Sequence, residues 1–363
     1  MTTEKNPYEL DFEEYILHTD ASKKDKTLAW STAIGLQQVD GLTPSAYLYE
    51  TAKRNIEGEL SFDEARNLIE SYYQNKTVRN DDEDERTEEA DKVSSRIAQI
   101  LSEPSFNFSP SHLIAIHKRL FEGIFKFAGK IRDYDITKKE WVLNGDSVMY
   151  GAAFELKMAL DYDFEQERAF NYEGLSVDET VKHITYFVSR LWQIHAFGEG
   201  NTRATAVFTI KYLRSLGFKA DNDIFAHNSW YFRNALVRAN YNNLQKGIHE
   251  KSLYLELFFR NLLLGEKNEL RNRYTHIDYE KYLQANAEKD TVKITQKINV
   301  KITINQQKII DEIKRNPFVT QEELASLVGI AKLNINKNMK KLQEQNIIRR
   351  IGADKNGHWE VLE

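Results

Sequence analysis

Between Ile194 and Phe208 the chain reads IHAFGEGNTRATAVF. A histidine, a carboxylate, an amide, a guanidinium and two glycines fall together there. Each has a chemical use. Gly198 and Gly200 permit backbone angles that other residues resist and let a ligand approach the main chain. Asn201 and Thr202 stand where a helical period resumes, and the free N–H groups and dipole of a helix start attract anions. Arg203 adds a forked cation suited to phosphate oxygens. Glu199 supplies one hard oxygen, and one carboxylate plus substrate phosphates is a common way of holding Mg²⁺. His195, at the rim, is placed to take a proton from a hydroxyl. Phe197 reads as an anchor for the loop. Any one of these residues alone would suit an ordinary capped helix start. Together they point to nucleotidyl or phosphoryl transfer. Zinc is disfavoured, because His195 and Glu199 lack a third ligand nearby.

Such a loop needs rigid elements on both sides. Val181, Ile184, Val188 and Leu191 form a helical stripe before it, and Val207, Ile210 and Leu213 form another after it, stopped by Gly217. Further helices are expected in EEADKVSSRIAQIL, SPSHLIAIHKRLFEGIF and NSWYFRNALVRANYNNL. The stretch DYDITKKEWVLNGDSVMY breaks the helical period and predicts a short β-hairpin. Upstream, Ser45 follows Pro44 at a helix start, and Ser61 with Glu64 forms a capping box. The acidic run NDDEDERTEEAD is either a solvated linker or a charged first helical turn. Near the C-terminus, Thr320 and Glu323 repeat the capping-box spacing. Two helices follow a first one, and a strand pair is expected around a turn at Asn356–Gly357. That order is the plan of a winged helix. The domain boundaries expected are an extended tail at 1–29, a helical module at 30–78, a mainly helical domain at 85–275, a connector at 276–303 and a winged helix at 304–363.

The composition narrows the class. The chain has 363 residues, of which 41% are hydrophobic, with a net charge of −5. That supports two or three folded domains and gives no overall polybasic signature. There is no cysteine, which excludes disulfides, thiolate zinc sites and cysteine nucleophiles. The N-terminal segment lacks an apolar h-region and no apolar run spans a bilayer, so the expectation is a soluble cytoplasmic protein.

HAFGEGNTR resembles the signature of the Fic family, His-x-Phe-x-(Asp/Glu)-Gly-Asn-(Gly/Thr/Lys)-Arg-x-x-Arg. The resemblance implies a mainly α-helical Fic fold with a β-hairpin flap that binds the target. It implies ATP as substrate, Mg²⁺ as metal, and transfer of AMP to a Ser, Thr or Tyr hydroxyl of a target protein or of the chain itself. His195 would be the general base and Glu199 the metal ligand. Gly198, Gly200, Asn201, Thr202 and Arg203 would hold phosphates, and Tyr231, Phe232 and Asn240 would line the adenosine pocket. Ile136, Trp141, Val142 and Val148 would form the flap. Ala196 replaces the common Pro, and Ala206 replaces the second Arg.

The stretch VDGLTPSAYLYETAKRNIEGELSFDEA is similar to the antitoxin-like module that inhibits Fic proteins, whose signature is (Ser/Thr)-x-x-x-Glu-(Gly/Asn). LQQVDG aligns best, with Asp40 in the inhibitory position; KRNIEG, with Glu57, aligns less well. The family's inhibitory Glu pairs with the second Arg, which Ala206 cannot provide. Asp40→Gly is therefore expected to change activity little.

Lys332, Lys337, Lys340 and Lys341 crowd the third C-terminal helix, and Arg349, Arg350 and Lys355 flank the wing. Phosphate contact with DNA is one use of such a face, with Lys332, Lys337 and Lys341 as candidates; protein docking is the other. The leading reading is a protein adenylyltransferase. The rival is a DNA-binding regulator whose Fic domain senses nucleotide, and a further alternative is transfer of another nucleotide or phosphate group. A homo-oligomer is compatible with the sequence.

Overall fold

Helix α8, Asn201–Ser215, is the axis of the larger part of the molecule. Every residue from Asn201 to Leu213 is buried, polar ones included, so neighbours enclose this helix on all sides. The structure is a computed structural model and describes residues 21–76, 82–220, 223–279, 303–344, 347–351 and 358–362. It divides into two units, residues 1–281 and 282–363.

In the first unit the described helices ahead of α8 are α1 (Ala21–Gly35), α2 (Ala46–Glu57), α3 (Phe62–Asn75), α4 (Asp82–Ser102), α5 (Pro110–Phe121), α6 (Leu156–Ala169) and α7 (Val177–Ile194). After it come α9 (Ile224–Ala239), α10 (Leu253–Leu264) and the short α11 (Asn272–Thr275). Helices α4, α5 and α7 and a 3₁₀ turn at Leu36–Asp40 pack against α8. One apolar core joins Trp30 of α1, Ile69 of α3 and Val188 of α7.

Local chemistry sets the helix starts. The Ser45 hydroxyl accepts the Leu48 N–H at the start of α2. Capping boxes Ser61–Glu64, which the spacing predicts, and Ser176–Glu179 open α3 and α7. The acidic run, from Asp82 on, is the first turns of α4 and not a linker.

Two expectations are corrected. Residues 21–29, assigned to an extended tail, lie in α1, with Leu28, Ala29 and Trp30 buried. The sequence hides this helix because the groups that bury it are far away: α1 packs on α4 and α9. Gly35 at its end is required by close approach, since a Cβ there would fall 2.2 Å from the Ala226 carbonyl oxygen. The remainder of the tail, residues 1–20, lies outside the described residues.

The flap segment forms no strand. Burial alternates from Ile136 to Glu140 and from Val148 to Tyr150, which explains the hairpin reading. The two arms, however, are joined by only a few bonds: Glu140 N–H to the Asp146 carbonyl at 3.0 Å, and Lys138 N–H to Ser147 Oγ at 3.2 Å. A 3₁₀ turn at Trp141–Leu143 closes the bend, ended by Asn144 with φ 56°. This turn docks on residues expected to begin the connector: Ile277 N–H donates to the Val142 carbonyl at 2.9 Å.

The second unit has α12 (Ile304–Arg315), α13 (Gln321–Val328) and α14 (Lys332–Glu344), then β1 (Ile348–Ile351) paired antiparallel with β2 (His358–Val361). Capping boxes Thr303–Gln306 and Thr320–Glu323 start α12 and α13. Ile309, Ile313, Leu324, Ile335, Met339, Leu342 and Trp359 form its core. Lys355 and the turn at Asn356–Gly357 lie outside the described residues. Among the described residues no helix is long and apolar enough to cross a membrane.

Candidate active site

His195 ends α7 in the left-handed region, at φ 50° and ψ 55°. Such angles are uncommon for a residue with a Cβ and are held only by surrounding structure. The holder is Arg132. Its buried guanidinium donates to the carbonyls of His195 at 2.8 Å, Tyr134 at 2.6 Å and Gly151 at 2.5 Å. The Arg132 N–H donates to the Ala196 carbonyl at 2.9 Å.

The imidazole is buried. Its Nδ1 lies 3.2 Å from the Trp192 carbonyl, which only an Nδ1–H can satisfy, so the neutral tautomer leaves the Nε2 lone pair bare. Nε2 has no hydrogen-bond partner. Burial, then the nearby Lys138 charge, hold the His195 pKa well below its ordinary value. The Tyr150 ring lies 4.2 Å from the imidazole, and the Tyr150 hydroxyl reaches Glu140 at 3.2 Å. Glu140 is buried and pairs with Arg233 at 3.0 Å; burial pushes its pKa up.

The loop then turns through Gly200, φ 75°, where a Cβ would lie 2.4 Å from the Phe121 ring. His117 of α5 fixes this turn. Gly129 N–H donates to its Nδ1 at 2.9 Å, and its Nε2–H donates to the Glu199 carbonyl at 2.9 Å. Phe197 stacks on it at 3.7 Å. Burial lowers the His117 pKa to about 4, consistent with this neutral structural role. Asn201 brackets the loop by bonding both main-chain groups of Phe197, at 2.9 and 2.7 Å. The Thr202 hydroxyl accepts the Trp192 indole N–H at 3.0 Å. The side chains of Asn201 and Thr202 thus shape the loop. What α8 offers a ligand is its N-terminal main chain, which no side chain caps.

A cavity of about 640 Å³ lies here, lined by Asp40, Arg86, Glu89, Glu199, Arg203, Trp230 and Arg233 among others. A larger one, about 730 Å³, is lined by Lys26, Lys211 and Arg214. Lys211 and Arg214 are already bonded to carbonyls at the end of α4, to Ile100 at 3.2 Å and Leu101 at 2.7 Å, so it offers no comparable chemistry.

Arg203 is buried, and its guanidinium meets three groups of the chain. Nε is 2.8 Å from Asp40 Oδ2, Nη2 is 2.6 Å from Glu89 Oε1, and Nη1 donates to Gln37 Oε1 at 3.1 Å. The Asp40 contact is off the hydrogen-bond axis, so it is an ion pair without an aligned hydrogen bond. The Phe121 ring backs the guanidinium at 4.8 Å. Ala206 is buried and offers no charge. The pair with a second motif arginine is absent, as Ala206 implies, and Asp40 takes the first motif arginine instead. Arg86 fastens the same turn by donating to the carbonyls of Asp40 and Gly41 at 3.1 and 2.9 Å.

Other expected site residues fall elsewhere. Glu57 pairs with Lys23 at 2.7 Å and does not line the cavity. Tyr231 and Phe232 are core residues: the Tyr231 hydroxyl donates to the Tyr254 carbonyl at 3.2 Å, and Phe232 packs on Phe225 and Phe258. Trp230 and Arg233, three apart on one face of α9, line the cavity in their place. Asn240 donates to the Ser189 and Leu236 carbonyls at 3.2 and 2.8 Å, closing α9 on α7. Val142 and Val148 are buried; Ile136 is half-buried and Trp141 is exposed.

Sequence reasoning missed Arg132, His117, Gln37 and Glu89. Only His117 carried a signal, lying on the apolar face of α5 with Leu113, Ile116 and Leu120.

The fold and this loop define a class. Residues 107–213 match the model of the Fic/DOC family, and residues 302–349 match that of the winged helix-turn-helix DNA-binding family; the chain carries a Fic domain and a C-terminal winged helix. The protein adenylyltransferase VbhT of Bartonella schoenbuchensis is 29% identical over 119 residues, 33% of this chain and 24% of VbhT. The match thus spans about a quarter of that relative's length. A Fic family protein from Desulfovibrio desulfuricans G20 aligns with a TM-score of 0.42 at 11% identity, over 97% of this chain and 90% of that one.

Proposed function

We propose that the chain is a protein adenylyltransferase that transfers AMP from ATP to a hydroxyl of a target protein or of itself. The observation that carries this reading is His195: a buried, neutral imidazole with a bare Nε2, ending the helix before a tight turn into the uncapped N-terminus of α8. Nε2 takes the proton of the attacking hydroxyl. The hydroxyl oxygen bonds to the α-phosphorus, the bond to the β-phosphate oxygen breaks, and pyrophosphate leaves. The N–H groups of the first turn of α8 and the Arg203 guanidinium receive phosphate oxygens. Glu199 fits a Mg²⁺ ligand: its carboxylate is half-exposed on the same cavity, and one protein carboxylate beside phosphates and water suits that ion. Mg²⁺, when bound there, would neutralise phosphate charge.

The geometry around Arg203 supports a restrained resting state. Two carboxylates already engage the cation that the nucleotide needs. Asp40, on the turn after α1, is the inhibitory residue in this reading.

The test incubates the protein with each labelled nucleoside triphosphate and follows label on the protein. His195→Ala is expected to lower AMP incorporation by about 10²–10⁴-fold, with ATP binding by calorimetry nearly unchanged. Undiminished labelling by this variant removes His195 from its role, and preferential labelling from another nucleotide replaces AMP as the transferred group. The C-terminal winged helix supports a second activity, contact with duplex DNA through α14, where Lys337 and Lys341 are exposed one helical turn apart.

A further inference from the structure

Lys138 lies in the flap segment, and its Nζ is 2.8 Å from Glu199 Oε2. Both partners start from fixed points. The Lys138 N–H is bonded to Ser147 Oγ at 3.2 Å, and the Glu199 carbonyl is bonded to His117 at 2.9 Å. The lysine side chain is mostly covered, 23% exposed, while the glutamate is 54% exposed. The lysine therefore approaches Glu199 from the protein side and leaves the carboxylate open to the cavity.

An ammonium and a divalent cation make the same demand on a carboxylate: both need its oxygen lone pairs and its charge. Among the described residues no group of three His, Asp or Glu side chains is arranged to hold a metal. A metal at the motif therefore gains little from other protein ligands, and whatever engages Glu199 weighs heavily on its affinity.

We propose that Lys138 is a tethered counter-ion for Glu199, competing with the divalent cation for this carboxylate, so that metal entry releases the flap lysine. The inference rests on the reading of Glu199 as a metal ligand. It makes Lys138 a positioning residue: it sets how readily the site accepts metal and couples that step to the flap segment. Among the described residues its Nζ is hydrogen-bonded to Glu199 alone, so Lys138→Met removes the charge and keeps an apolar stem of similar length.

The experiment measures Mn²⁺ binding to the nucleotide-free full-length protein by electron paramagnetic resonance at low ionic strength, with no turnover involved. Wild type, Lys138→Met, Lys138→Arg, Glu199→Gln and the Lys138→Met/Glu199→Gln double variant are compared. Lys138→Met should bind Mn²⁺ about two- to fivefold more tightly, the range expected on removing a partly exposed ion pair. Lys138→Arg should behave as wild type, and the gain should vanish in the double variant. Equal affinities for wild type and Lys138→Met, with binding still lost in Glu199→Gln, would overturn the competition and leave Glu199 as metal ligand. A titration indifferent to Glu199→Gln would overturn both.

Discussion

Arg203 shows how much can hang on one guanidinium. Asp40 and Glu89 approach it from different elements, the turn after α1 and helix α4, and both are largely shielded from solvent. Charge-assisted contacts of this kind are stronger than neutral ones. An incoming phosphate must displace them or bind beside two negative charges. Asp40→Asn is therefore expected to raise the rate of automodification at subsaturating ATP by about two- to fivefold, since a part-exposed ion pair without an aligned hydrogen bond is worth up to about 1 kcal/mol. Glu89→Gln should raise it at least as much, because the Glu89 contact is a hydrogen-bonded ion pair and the less exposed of the two. The double variant should depart from the sum of the two in free energy, because both act through one cation. Identical rates for wild type and Asp40→Asn across ATP concentrations would show that the pair does not restrain the site.

At the scale of elements, the junction of α2, α3 and α4 contains a buried carboxylate. Asp91 of α4 accepts the Ser45 N–H at 2.8 Å, the Ser45 hydroxyl at 2.5 Å and the Tyr73 hydroxyl at 2.7 Å. Burial outweighs these donors and the nearby Lys76 charge, raising its pKa from 3.8 to about 6. The folded state thus holds this proton more tightly than the unfolded chain. The contribution to stability is fully present below about pH 4 and is lost as pH rises through about 6. Asp91→Asn should remove that dependence. Urea midpoints from pH 4 to 7 should show wild type losing on the order of 2–3 kcal/mol relative to the variant. Parallel profiles would show that Asp91 titrates as an ordinary carboxylate.

At the scale of the molecule, the winged helix has a core of its own. Its third helix turns Ile335, Met339 and Leu342 inward and leaves Lys337, Lys340 and Lys341 exposed. Lys332 is already paired with Glu322 at 2.5 Å, and Arg349 with Glu360 at 2.5 Å. The free basic face is therefore narrower than the sequence shows. If it contacts phosphates, the full chain should bind duplex DNA with an affinity that falls as salt rises. Lys337→Glu with Lys341→Glu should weaken binding to all sequences and reduce the salt slope by about two. Lys332→Glu should matter less. No binding at low salt by the wild-type chain would leave this face to protein docking.

Sequence alone determined what depends on neighbours in the chain. The capping boxes at Ser61 and Thr320 need only a hydroxyl and a carboxylate three residues apart. The two stripes around the motif need only helical spacing. The motif itself is contiguous, so His195, Glu199 and Arg203 could be singled out from one short stretch. The tertiary structure decided everything that depends on residues meeting across the chain. It chose the partners of Arg203, bringing Gln37, Asp40 and Glu89 to it from outside the motif. It turned Trp230 and Arg233 into the cavity and Tyr231 and Phe232 into the core, because a helix shows one face to each side and periodicity does not say which. It also placed Arg132 beneath His195 and Lys138 beside Glu199. Charged side chains of the same type lie all over the surface, and only burial against a particular carbonyl or carboxylate distinguishes these two.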